Sequence, residues 1–117
     1  MLEVEVFGER LAPGAPAREE IRRLCELAAA TRSTENGHVA IEFVSAERIG
    51  ELNREHRGKD GPTDVLSFPI DGAGSGAGEQ RELGDIVICP SHTADLGEAI
   101  VHGMLHLLGM DHETDDG

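Results

Sequence analysis

"LNREHRGKDGPTDVLSFP", residues 52–69, changes its period halfway along. Leu52 completes with Ile49 an inward-facing pair at helical spacing, whereas Val65 to Phe68 is a short apolar run of strand length. The polar residues between them read as a loop that carries Arg57 and Lys59. A helix that hands over to a strand across a polar loop predicts a domain built from both kinds of element.

Toward the N-terminus, Ser45 stands where an N-cap is wanted, which predicts a short helix from Ala46 to about Arg54. Val39, Ile41 and Phe43 alternate as a strand does, and so do Leu2, Val4 and Val6 against Glu3 and Glu5. Between these strands Pro16 suits a helix start, and Ile21, Leu24, Cys25 and Ala28 recur at i, i+3, i+4 and i+7 opposite Arg18, Arg22 and Glu26. Toward the C-terminus, Ile86 to Cys89 reads as a fourth strand. A last helix is predicted from Asp95, whose spacing to Glu98 fits a capping box, to Leu108, where Gly109 stops it. The order predicts one α+β (α/β mixed) domain over residues 1–117, a mixed four-stranded sheet covered by helices with the metal-binding helix near the C-terminus. "DGAGSGAGEQ", residues 71–80, alternates glycines, but a strand rather than a helix follows it. It therefore reads as a connection and not as a phosphate-binding loop.

A chain of 117 residues has room for one core and not two, and with three Phe, no Trp and no Tyr that core is aliphatic. Neither end carries an apolar run of signal-peptide or membrane-span length, so a cytoplasmic protein without a membrane partner is expected. Cys25 and Cys89 fall in apolar stretches and are expected to be buried and reduced. A net charge of −13 taken alone argues against nucleic acid, because phosphate binding depends on Lys and Arg. The distribution changes that reading: all ten basic residues lie between Arg10 and Arg81. An anionic substrate must be held by this earlier part of the chain, where Arg54, Arg57 and Lys59 form the tight basic group outside the first amphipathic helix.

"HGMLHLLGMDH", residues 102–112, carries the metal chemistry. Residues four apart on a helix stand one above the other, roughly 5 to 6 Å between Cβ atoms, so His102 and His106 direct two imidazoles at one ion. Gly109 is free to turn the chain back and return His112 to the same point. Three imidazoles with an open fourth position are the donor set of a catalytic site, with one Zn2+ per chain as first choice and other divalent transition metals suiting the same ligands. Zinc peptidases with a similar motif place a Glu after the first His as general base, and here that position is Gly103. A peptidase reading is weakened, while metal-assisted hydrolysis stays open because a metal-bound water loses a proton near pH ~7. His38, His56 and His92 stand at loop or element ends and are expected to face solvent.

Together with "LGDIVIC" (83–89), the two stretches quoted above resemble the YbeY family of single-strand-specific metallo-endoribonucleases, over about residues 52 to 113. The first fifty residues match only in their pattern of elements. The resemblance implies a zinc-dependent endoribonuclease of 16S rRNA 3′-end maturation and ribosome quality control. Its partners would be single-stranded RNA and the ribosome or small-subunit proteins, with no DNA substrate. It implies His102, His106 and His112 as zinc ligands and Arg57 as the cleft arginine. The chemistry agrees: charge builds on non-bridging phosphate oxygens during cleavage, and a fixed guanidinium can hold two of them. Lys59 and Arg54 are expected to grip backbone phosphates. Asp64 and Asp85 suit either of two roles, acceptors that orient the ligand imidazoles or caps of strand ends. Two departures from the family stand out: a short segment over 90–101 and the absence of a C-terminal extension. The alternatives are a metallopeptidase-like hydrolase and a zinc-stabilised ribosome-associated module with little catalysis.

Overall fold

The computed structural model describes residues 2–31, 37–69 and 82–108. Strands β1 (Leu2–Phe7), β2 (Gly37–Phe43), β3 (Val65–Pro69) and β4 (Glu82–Ile88) alternate with helices α1 (Arg18–Ala30), α2 (Ala46–Arg57) and α3 (Leu96–Leu107). The expected four-stranded mixed sheet is present, in the order β1-β2-β4-β3. β1, β2 and β4 run parallel, and β3 closes one edge antiparallel to β4. A parallel β1–β2 pair needs a crossover, and α1 supplies it. Two short 3-10 turns, Glu9–Leu11 and Pro90–His92, carry no periodic signal and were not expected from the sequence.

The period-2 pattern splits the sheet into two faces. Val39, Ile41 and Ile86 are fully buried on the face covered by α1 and α3, where Cys25, Ile100 and Met104 meet them. Val87 and Leu66 face the other way, onto Ile49 of α2. The edge strand β3 therefore has α3 on one side and α2 on the other.

Two glycines let α3 lie close to the sheet. His38 pairs with Glu82 and Val39 with Gly84, so Leu83 is an extra residue that bulges β4. Gly84 sits at φ +138°, and a Cβ there would strike the Phe68 carbonyl oxygen and come within 2.8 Å of Leu107 Cδ2. This bulge also explains why β4 begins at Glu82, four residues before the run Ile86 to Cys89 that marks it in the sequence. On the facing helix, a Cβ at Gly103 would stand 2.6 Å from Ile86 Cγ2. The Ser67 hydroxyl donates to the Gly103 carbonyl at 3.3 Å and ties α3 to β3 at the same level.

Candidate active site

A cleft of about 780 Å³ straddles β3. His102 and His106 of α3 line one side, and His56 and Arg57 of α2 line the other. Asp64, Ser67 and Phe68 lie between them along the strand. A shallower groove of about 910 Å³ runs between Pro16 and Leu24 on one side and Leu96 and Val101 on the other. Of its three carboxylates, Glu20 is paired with Arg23 and Asp95 serves as a helix cap, and no histidine or cysteine is among its lining residues.

Packing sets the α3 side. Asp95 caps the helix by accepting from the Glu98 amide at 3.0 Å, as its spacing predicts. Ala99, Ile100, Gly103 and Met104 turn to the core, which leaves His102 and His106 on the exposed side, one turn apart. Their ring centroids are 6.1 Å apart and their planes 38° from parallel. An ion about 2.0 to 2.1 Å from a ring nitrogen lies roughly 3 Å from that ring's centre, so two imidazoles on one tetrahedral ion stand about 5 Å apart, and these two rings must close by about 1 Å to share it. Among the described residues, no group of three metal-binding side chains comes together. His112 and Gly109 lie outside the described residues, as does the 71–80 connection.

Helix ends set the α2 side. Ser45 Oγ accepts from the Arg48 amide at 3.1 Å, and Gly58 at φ +67° terminates the helix. The helix thus runs three residues beyond Arg54, and Arg57 stands in its last turn rather than in the polar loop where the sequence put it. Buried Asn53 donates from Nδ2 to the Gly61 carbonyl at 2.9 Å, which folds the following loop back against the helix. Arg54 and Lys59 are exposed beside the cleft but do not line it. Arg18, Arg23 and Arg48 are held by Glu9, Glu20 and Glu51, whereas Arg54, Arg57 and Lys59 make no ion pair among the described residues. Free cations three residues apart on one helix end can meet successive phosphates.

The two aspartates part company. Asp64 lines the cleft, yet its Oδ1 accepts from the Val65 amide at 2.8 Å and from Thr63 Oγ1, so it caps the start of β3. Asp85 is exposed on β4 opposite Phe68, on the α2 face of the sheet, whereas its neighbour Ile86 meets α3. That face points away from the His102 and His106 imidazoles, and Asp85 is not brought to them. Of the three remaining histidines, His38 differs from expectation, and His56 is exposed as expected but on the cleft side. The His38 side chain is 20% exposed and stands 3.1 Å from Glu5, while His56 faces the cleft with its ring 4.9 Å from that of Phe68. His92 is exposed, as expected. Cys25 and Cys89 are buried and free, and burial pushes the Cys25 thiol up to about 12, which removes it as a nucleophile.

A family model described as Endoribonuclease YbeY matches residues 12–117. Endoribonuclease YbeY of Geobacillus kaustophilus is 43% identical over 117 aligned positions, which cover 84% of this chain and 75% of that protein. That of Rubrobacter xylanophilus is 42% identical over 113 positions, with 93% of this chain and 80% of that protein covered. The solution structure of TM1509 from Thermotoga maritima superposes with a TM-score of 0.53 at 30% identity, covering 97% of this chain and 77% of the other. The class that these matches define is that of RNA-cleaving endonucleases. Within it, the chain belongs to the YbeY endoribonuclease family.

Proposed function

We propose that this chain is a single-strand-specific, metal-dependent endoribonuclease of the cytoplasm, acting in 16S rRNA 3′-end maturation and ribosome quality control in contact with the small subunit. The observation that carries this reading is the convergence on one cleft across β3 of an imidazole pair and a guanidinium with no ion-pair partner among the described residues. His102 and His106, with His112, would hold one Zn2+ or a similar divalent ion. When bound, that ion supplies Lewis-acid charge beside the scissile phosphate.

The chain's own residues do the rest. The Arg57 guanidinium meets non-bridging oxygens from the α2 side and stabilises the charge that builds on them. Arg54 and Lys59, outside the cleft, grip flanking phosphates and set the register of the strand. Gly103 bears on the peptidase alternative: its position is packed on Ile86, so the residue that would follow the first ligand as a general base faces the core rather than the cleft.

The test is cleavage of labelled single-stranded RNA, duplex RNA and casein, each with and without chelator. Metal-dependent cutting of single-stranded RNA alone is the expected outcome. Metal-dependent cutting of casein would overturn it.

A further inference from the structure

We propose that His56 and Phe68 form a platform on which a nucleobase of the RNA stacks next to the phosphate held by Arg57. This rests on the endoribonuclease reading above and adds to it the group that recognises an unpaired base. The two rings come from different elements, the last turn of α2 and the edge strand β3, and their centroids are 4.9 Å apart with planes 63° from parallel. Phe68 is half-buried against the α2 side of the core, so it forms a fixed backing. His56 is exposed and lines the cleft, so its imidazole can be reached from there.

The chain's sparse aromatic content makes the placement informative. Of the three Phe, Phe43 is buried in the core and Phe7 lies on β1, at the opposite edge of the sheet. With no Trp or Tyr, Phe68 is the one large aromatic side chain that lines this cleft. The other ring pair, His102 and His106, is assigned to the metal.

His56 also lacks what a proton-transfer histidine has. Such a histidine is oriented by a hydrogen bond on its second nitrogen. His56 makes no hydrogen bond or ion pair among the described residues and is held by the Phe68 ring instead. A stacking surface requires only that contact. It also accounts for a preference for single strands, since a base in a duplex is already stacked on both faces and cannot reach a side-chain ring without being flipped out.

The experiment compares wild type with His56→Ala, His56→Gln and His56→Phe, each metal-loaded and checked for unchanged thermal unfolding. Binding of a labelled single-stranded oligoribonucleotide is followed by anisotropy and cleavage under single turnover. The expected result is that Ala and Gln weaken binding by about 10-fold with a smaller change in the saturating rate, while Phe restores it. Scanning one abasic nucleotide along the oligonucleotide should find a position at which wild type and His56→Ala become alike. Wild-type binding in His56→Ala would overturn the platform, as would rescue by Gln but not by Phe. Loss of the saturating rate alone would also overturn it, by pointing to proton transfer. A wild type that neither binds nor cuts RNA would remove the endoribonuclease reading and the platform with it.

Discussion

The two sides of the cleft are built on opposite principles. α3 carries its two histidines on an apolar helix pressed so tightly on β3 and β4 that Gly103 and Gly84 are needed for it to fit. α2 is polar through its last turns, buries Ile49 and Asn53, and owes its length to a serine at one end and a left-handed glycine at the other. One side has its imidazoles placed by packing, which fixes direction. The other holds its cations by helix caps, with Arg54, Arg57 and Lys59 exposed and, among the described residues, free of carboxylates. A metal site needs the first kind of support, because ligands must meet at a point, and a flexible polyanion suits the second.

Removing an imidazole is expected to have the largest effect. His102→Ala or His106→Ala should leave a folded protein without its roughly one equivalent of divalent metal and without measurable cleavage. Metal analysis checks this, and full occupancy in both variants would break the assignment of α3 as the ligand side. Loading with metal should raise the wild-type melting temperature, since an ion that binds the folded state alone stabilises it.

Arg57→Ala comes next. It should keep metal and fold while lowering the single-turnover rate on single-stranded RNA by about 10²- to 10³-fold, as removal of one transition-state donor does. An unchanged rate would leave the α2 side with no part in the chemistry.

Gly103→Ala probes packing rather than chemistry. Its Cβ would stand 2.6 Å from Ile86 Cγ2, so either Ile86 or the helix must shift, at about 1 to 3 kcal/mol in urea unfolding. A neutral substitution would mean that the approach of α3 is looser than its contacts imply.

The smallest effect belongs to Lys59→Ala. Acting as a phosphate grip, it should weaken RNA binding and lower the slope of log affinity against log salt by about 1, with the saturating rate kept. A loss of rate at unchanged affinity would give it a role in the chemistry instead.

What was legible in the sequence follows the same division. The α3 side could be read because a capping aspartate, an apolar stripe and two histidines at i, i+4 are local signals. All four strands could be found from their alternation or apolar runs, although β4 began early because a bulge at Leu83 hides its first residues. The last turn of α2 was missed for a physical reason. Glu55, His56 and Arg57 have no apolar face, and the helix reaches them because Gly58 can take φ +67°. The His56–Phe68 contact joins residues on separate elements, and no periodicity reports such a meeting. The direction of Asp85 depends on strand register, which the sequence around a bulge leaves unspecified.

One consequence follows from the place of β3 at the edge of the sheet. Among the described residues its only strand partner is β4, yet it lies between the two sides of the cleft. Edge strands open locally at lower free energy than central ones, so backbone amides of Leu66 and Phe68 should exchange with solvent faster than those of Ile41 or Ile86. Each such opening carries Ser67 away from α3 and Phe68 away from α2. If RNA lies across the cleft and binds the closed form alone, its occupancy should slow exchange in β3 while the central strands report no change.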